Sequence, residues 1–209
     1  MDWVRWHGGY DDPASPLSRR LEVVRRRVGE ALELVDADRP SVLSLCAGDG
    51  RDLLPVLARR PVGARGRVTV VEQDPLLAEA AALTAGDSGL DGASVLRADA
   101  SDPSVWAGAV PVDVLLLCGI FGNITAEEVD GLVALAPALL RHGGCVVWTR
   151  GRTEPDLRPR VRASFAAAGF AEVAYDGEPA RYGVGLARLV VAPPDPRPAL
   201  PERLFTFLR

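Results

Sequence analysis

The sequence predicts an α/β fold: a mostly parallel sheet covered by helices on both faces, with one reversed strand near the C-terminal end. Three observations predict it. Residues 41–52, SVLSLCAGDGRD, run from a short β-branched and apolar strand through Gly48 and Gly50 into a helix-like segment, DLLPVLARR. Four further strand-length apolar runs follow, separated by helical patterns or capped turns. The last two strand-like runs are joined without a helix, and so short a connection pairs strands antiparallel. Five alternating strands and this pair make seven.

Each element has its own signal. Trp3, Trp6 and Tyr10 concentrate aromatic surface in the first fourteen residues, with His7, Gly8 and Gly9 among them. Such a segment either packs as a tail on the first helix or covers a ligand. Ser15 and Pro16 supply an N-cap and a proline at the first helical position. Leu17, Leu21, Val24, Val28, Leu32 and Val35 then recur at steps of three and four, one apolar face of a helix running to about residue 37.

After the central strand a helix is expected over residues 52–60, then a strand over RVTVVE and a helix opened by Asp74 and Pro75. ASVLR is a third strand ending near Arg97, with Asp99 just beyond; Ser101, Asp102 and Pro103 open a turn carrying Trp106. Residues 112–118, VDVLLLC, are apolar beyond Asp113, as in a strand covered on both faces. Thr125 and Glu128 form a capping box for a helix reaching toward Arg141. Pro137 is expected to kink or break that helix, and Gly143 with Gly144 to stop it. CVVWTR is the fifth strand, residues 156–168 a helix closed by Gly169, and AEVAYD with GVGLARLVVA the antiparallel pair. Leu204, Phe205, Phe207 and Leu208 are expected to fasten the extended, proline-rich tail.

Composition bounds the function classes. With 209 residues and 48% hydrophobic content, the chain suffices for a single α/β domain, read as a lid segment and helix over 1–40 and a core over 41–209. No apolar run approaches the roughly 20 residues of a membrane span, and MDWVRWHGGYDD lacks the character of a leader, so a cytoplasmic protein is expected. Cys46, Cys118 and Cys145 lack CxxC spacing and read as buried thiols in a reducing compartment, not as metal ligands. All 24 basic residues are arginine, which excludes a Schiff-base or phosphate-loop lysine. A formal charge of −4 offers no field that would gather nucleic acid.

In a sheet of this kind ligands lie beyond the carboxyl ends of the strands, near the point where strand order reverses. The turn at Ala47, Gly48 and Gly50 exposes backbone N–H groups on which a ligand can rest. Glu72, 22 residues after Gly50, closes the second strand, where a carboxylate either accepts from both hydroxyls of a ribose or is a surface charge at a helix start. Gln73 follows it, placed to touch the same nucleoside. Asp99 closes the third strand, either as a helix cap or as an acceptor for the exocyclic amine of an adenine, with the Ala100 N–H facing the ring. Asp52, beside the glycines, would repel a pyrophosphate, and the GxGxxG of dinucleotide-binding proteins is broken at Arg51 and Asp52.

At these residues the sequence resembles the class I S-adenosylmethionine-dependent methyltransferases, from about residue 41 to residue 191. SVLSLCAGDG matches that family's first motif, Glu72 its ribose-binding acid, and Asp99 with Ala100 its adenine-binding pair. CGIFGNI, with Cys118, Gly119 and Asn123, stands where the family lines the methionine part of the cofactor. The motif departs from the pattern at Cys46, in place of the first glycine, and at Ser44, where an acidic residue is common.

The resemblance implies a Rossmann-like, doubly wound seven-stranded sheet, S-adenosylmethionine as cofactor and S-adenosylhomocysteine as product. The partner it implies is a small organic methyl acceptor, methylated at oxygen or nitrogen, and it leaves room for a homodimer. No nucleic acid and no membrane are expected as partners, and NPPY or DPPY, the signature of base-amine methylation, is absent. His7 reads as the best available base, or as a packing residue of the lid, with Tyr10 beside it to orient it or the substrate. Trp148, Thr149, Arg150 and Arg152 follow the fifth strand toward an acceptor. A protein of this fold that binds the cofactor without turnover, as a regulatory or assembly subunit, is the alternative.

Overall fold

The computed structural model, which describes residues 8–10 and 12–208, turns the apolar runs into seven strands. They are β1 (Ser41–Leu45), β2 (Arg67–Glu72), β3 (Ala93–Arg97), β4 (Val112–Leu117), β5 (Leu140–Gly151), β6 (Phe170–Asp176) and β7 (Tyr182–Leu189). Five helices connect them: α1 (Pro16–Leu34), α2 (Leu54–Ala58), α3 (Pro75–Asp87), α4 (Ala126–Leu139) and α5 (Arg158–Ala167). The strands form one sheet in the order β3-β2-β1-β4-β5-β7-β6. β7 runs antiparallel to both β5 and β6, and the pairs among β1 to β5 are parallel. This is the mostly parallel, doubly wound arrangement expected, and the reversed strand is the last one.

Alternation along the strands divides the interior into two layers. Leu43, Leu45, Leu115 and Leu117 face one side, packing with Val129, Leu132 and Val133 of α4 and with Val161 and Phe165 of α5. Val42, Val114 and Leu116 face the other, packing with Val24, Val28 and Leu32 of α1 and with Ala81 and Ala85 of α3. Both faces of β1 and β4 are therefore covered, which is why these strands read as continuous apolar runs.

Local chemistry sets most helix starts. The Ser15 hydroxyl accepts from the Ser18 N–H at 3.0 Å with Pro16 following, and Asp74 accepts from Leu76 and Leu77 with Pro75 following. Thr125 and Glu128 make the reciprocal capping box.

The C-terminal boundaries differ from expectation at two places. α1 stops at Leu34, short of residue 37, and α4 ends at Leu139, two residues after Pro137. The chain then enters β5 at once, because Leu140 pairs with Val112 of β4. Gly143 and Gly144 thus lie inside a strand and do not stop the helix. A Cβ on Gly144 would stand 3.0 Å from the Asp113 carbonyl oxygen, so close backbone approach is the reason for glycine there. α2 is also shorter than residues 52–60. In the tail Phe205 is buried and Leu204 and Phe207 pack against the core, whereas Leu208 is exposed. Among the described residues no helix is long and apolar enough to cross a membrane.

Candidate functional site

The strand order reverses between β1 and β4, so the chain leaves their carboxyl ends in opposite directions and opens a crevice. The β1 side is a turn in the left-handed region, with φ of 54° at Cys46, 58° at Gly48 and 70° at Gly50. Only glycine adopts such angles freely; a cysteine there costs about 1–2 kcal/mol. A Cβ on Gly50 would also fall 2.5 Å from Leu54 Cδ1, so α2 packs directly on the turn.

Hydrogen bonds beyond the strand ends bring three separate segments together. The Ala47 N–H donates to the Val71 carbonyl at 3.1 Å, and the Ala98 N–H to the Glu72 carbonyl at 3.0 Å. With those contacts in place the Glu72 carboxylate spans the turn: Oε2 accepts from the Gly48 N–H at 2.7 Å, and Oε1 from the Asp74 N–H at 2.8 Å. A carboxylate oxygen has two lone-pair sites, so each keeps one for a ligand hydroxyl. Gln73, next to it, is exposed.

Asp99 lies on the same edge. Its Oδ1 accepts from the Ser101 N–H at 2.9 Å, a local turn contact and not a helix cap, since Asp102 caps the short helical turn that follows, and its Oδ2 accepts from Arg203 at 3.0 Å. Burial acts to raise this carboxyl, but the hydrogen bonds from Ser101 and Arg203 outweigh it and hold Asp99 below its ordinary range. Ala100 is buried, and its carbonyl accepts from the Trp106 indole at 3.0 Å. Cys46 stands between the two acids: burial first, then the charges of Glu72 and Asp99, push its thiol far up, so it is a neutral packing group. Arg203 was not foreseen. It arrives on the C-terminal tail, whose Leu204 N–H donates to the Ser101 carbonyl, Thr206 N–H to Glu128 Oε1 and Leu208 N–H to the Asn123 carbonyl, each at 2.8 Å.

Across the crevice, β4 ends in Cys118 and Gly119. Gly119 has φ 79° with nothing within 4 Å of where a Cβ would be, and its N–H donates to the Thr149 hydroxyl at 2.9 Å. The Asn123 amide donates to the Gly119 carbonyl at 2.7 Å, so this side chain shapes the loop. Arg150 is buried at the end of β5, where it donates to the Phe121 carbonyl while its Nε has no partner among the described residues.

The lid side comes from α1 and the turn before it. Tyr10 takes a hydrogen bond from Arg20 at 2.8 Å, and the Arg51 guanidinium lies 4.6 Å above its ring. Burial raises the Tyr10 hydroxyl above its ordinary range, which keeps it protonated and able to donate. Arg25 donates to the Arg51 carbonyl at 2.8 Å and ties α1 to the glycine turn. His7 lies outside the described residues.

Asp52 stands among these groups. Its Oδ1 is sealed from solvent and accepts no hydrogen bond from any described residue. Burial pushes the carboxyl up to about 6; Asp49 adds to the rise, while its own backbone N–H and the charges of Arg20 and Arg25 oppose it. The charge of Asp52 in turn acts to raise the Tyr10 hydroxyl and, after burial, the Cys118 thiol. A hollow of about 520 Å³, lined by Val23, Tyr175, Glu178 and Tyr182, opens at the β6–β7 hairpin, three strands from β1.

This sheet order is shared with solved structures. The magnesium protoporphyrin IX methyltransferase of Synechocystis PCC 6803, solved with bound SAM, matches with a TM-score of 0.66 over 90% of this chain and 91% of its own, at 12% identity. The chain has the class I S-adenosylmethionine-dependent methyltransferase fold. An O-methyltransferase family protein from Burkholderia thailandensis matches that fold with a TM-score of 0.64 at 18% identity, over 83% of this chain and 56% of its own. An O-methyltransferase family 2 protein from Planctomyces limnophilus, in complex with apigenin, gives 0.63 at 20% identity, over 83% and 60%. The chain thus spans somewhat more than half the length of these two methyltransferase-fold proteins. No model of a protein family matches the sequence, and no curated protein does either.

Proposed function

We propose that the chain transfers a methyl group from S-adenosylmethionine to an oxygen or nitrogen of a small organic molecule. The observation that carries this reading is the Glu72 carboxylate, held at 2.7 Å by the Gly48 N–H with one lone pair left on each oxygen. A ribose over the glycine turn would present two hydroxyls to those two oxygens. Asp99 and Ala100, one strand further out, suit the amine and ring edge of an adenine. The open space before Gly119 and the unpartnered Asp52 oxygen suit the amino-acid end.

When bound, the cofactor supplies an electrophilic methyl on a sulfonium. The protein's task is then to align an acceptor in line with that methyl and to keep water out. Tyr10, which takes a hydrogen bond from Arg20 of α1, stands on the α1 side of the crevice. Tyr10 serves as a hydrogen-bond donor to the acceptor and His7 as the base wherever the acceptor arrives protonated. Arg150, near the end of β5, and Arg152, just past it, favour an acceptor bearing an acidic group.

Calorimetry with S-adenosylmethionine and S-adenosylhomocysteine tests the reading directly. Both bind to the native chain if it is right, and absence of binding by both overturns it. The alternative, a cofactor-binding protein without turnover, is favoured by the hold of Arg203 on Asp99. Binding without release of homocysteine-containing product across a panel of hydroxyl and amine acceptors would support it.

A further inference from the structure

We propose that the C-terminal strap, residues 203–208, is a positioning segment: it holds the Asp99–Ser101 turn for an adenine and the Gly119–Asn123 loop for the methionine end. This rests on the methyl-donor reading above and extends it to a segment far along the chain from both loops.

The strap fills a gap in the fold. Between β3 and β4 the chain forms only two three-residue 3-10 turns, Pro103–Val105 and Ala107–Ala109, where the other connections among β1 to β5 each hold an α-helix. Other groups close the core on that face. Trp106 and Phe205 are buried in one core layer, and Leu200, Leu204 and Phe207 pack against it. Arg197 donates to the Ala138 carbonyl at 3.0 Å in the last turn of α4, and the Thr206 N–H meets Glu128 in its first turn. The tail therefore runs along α4 and arrives at the carboxyl edge of the sheet.

At that edge the strap follows the two-residue period of a strand. The N–H groups of Leu204, Thr206 and Leu208 donate to the Ser101 carbonyl, Glu128 Oε1 and the Asn123 carbonyl, each at 2.8 Å, while the rings of Phe205 and Phe207 stack 5.4 Å apart. Two of these acceptors belong to the site. Ser101 shares a turn with Asp99, so its N–H is held by Asp99 Oδ1 and its carbonyl by the strap. Asn123 closes the loop after β4, its side chain donating to the Gly119 carbonyl at 2.7 Å. Arg203 adds bonds to Asp99 and to the Ser101 hydroxyl, but it is well exposed, so the backbone bonds carry the coupling. Holding both loops before a ligand arrives removes an ordering cost from binding, which is how a segment without ligand contact raises affinity.

The test is calorimetry of full-length variants with S-adenosylhomocysteine and with 5′-methylthioadenosine, which keeps the adenine and ribose and lacks the amino-acid end. The Leu208 side chain is exposed, so Leu208→Pro chiefly deletes the N–H donor, and Leu208→Ala is the conservative variant that keeps it. Leu208→Pro should weaken S-adenosylhomocysteine by about three- to tenfold and methylthioadenosine by less than about twofold, and Leu208→Ala should restore native affinity for both. Leu204→Pro, compared with Leu204→Ala, should weaken both ligands by about three- to tenfold, because its bond serves the adenine turn. Methylthioadenosine binding kept by Leu208→Pro shows that the variant is folded.

Equal loss of both ligands in Leu208→Pro would overturn the assignment, because the strap would then act on the fold as a whole. Tighter binding in either proline variant would overturn it too, making the strap an obstruction. Should the native chain bind neither ligand, the methyl-donor reading fails and this inference with it. Native binding that both proline variants leave intact removes this inference alone.

Discussion

The two banks of the crevice are built differently. On the β2–β3 bank, Glu72 and Asp99 are each held by two protein hydrogen bonds. On the β1–β4 bank, Asp52 is half-buried, with one oxygen sealed from solvent that nothing described satisfies. The first bank is assembled by the same contacts that close the sheet edge, so its geometry exists before any ligand arrives. The second stores an electrostatic cost that a cationic ligand would relieve. A carboxylate can thus be part of the scaffold or a strain within it, and burial with or without donors decides which.

That contrast can be broken or sharpened by substitution. The largest effect is expected at Glu72→Ala, where the two contacts proposed for a ribose would vanish together with the acceptors for the Gly48 and Asp74 N–H groups. Affinity for S-adenosylhomocysteine should fall by about 100-fold or more, and unfolding free energy should drop by about 2 kcal/mol. Isothermal calorimetry and urea denaturation read the two; a loss of affinity with unchanged stability would mean that Glu72 is not part of the scaffold.

Asp52→Asn should move stability the other way. A carboxyl whose folded-state pKa is raised to about 6 from its ordinary value of 3.8 binds a proton more tightly when folded. Its penalty is therefore absent below about pH 4, grows as pH rises toward 6 and is complete above it. The unliganded variant should be more stable than the native chain by on the order of 2 kcal/mol at pH 7.5, with the gap closing at pH 4. Paired urea titrations at the two pH values check this, and a gap of equal size at both would remove the electrostatic account.

Smaller effects are expected at the edges of the first bank. Arg203 and Asp99 are both well exposed, at 57% and 38%, so Arg203→Ala should cost less than about 1 kcal/mol. It should change cofactor affinity by no more than a few fold; an increase would show that the tail competes with an adenine for Asp99. At Cys46→Gly, relief of a left-handed cysteine offsets the loss of its partly buried side chain, and melting should shift by less than the equivalent of about 1 kcal/mol.

Much of this was legible in the chain. The strand ends at Glu72 and Arg97 were readable because apolar runs stop against Asp74–Pro75 and Asp99, and helix starts because their caps are local. The α4 to β5 boundary was not, since pairing of Leu140 with Val112 overrides the stop signal of Gly143 and Gly144. Glu72 and Asp99 were legible as acids at or just beyond strand ends, because the apolar runs stop there. Arg203 carried no signal, because only the folded tail brings it back to Asp99 from 104 residues away. Asp52 was visible as a charge beside the glycines, but nothing local said that one of its oxygens would be sealed from solvent.

The sequence by itself determined the alternation of strands and helices, the reversal near the C-terminal end and the glycine turn, because these follow from periodicity and from φ angles that few residues accept. Tertiary structure alone decided which acids are satisfied. A hydrogen-bond donor and a wall that excludes water both come from segments far along the chain, and their joint presence at Glu72, or the second without the first at Asp52, is fixed only when the sheet closes.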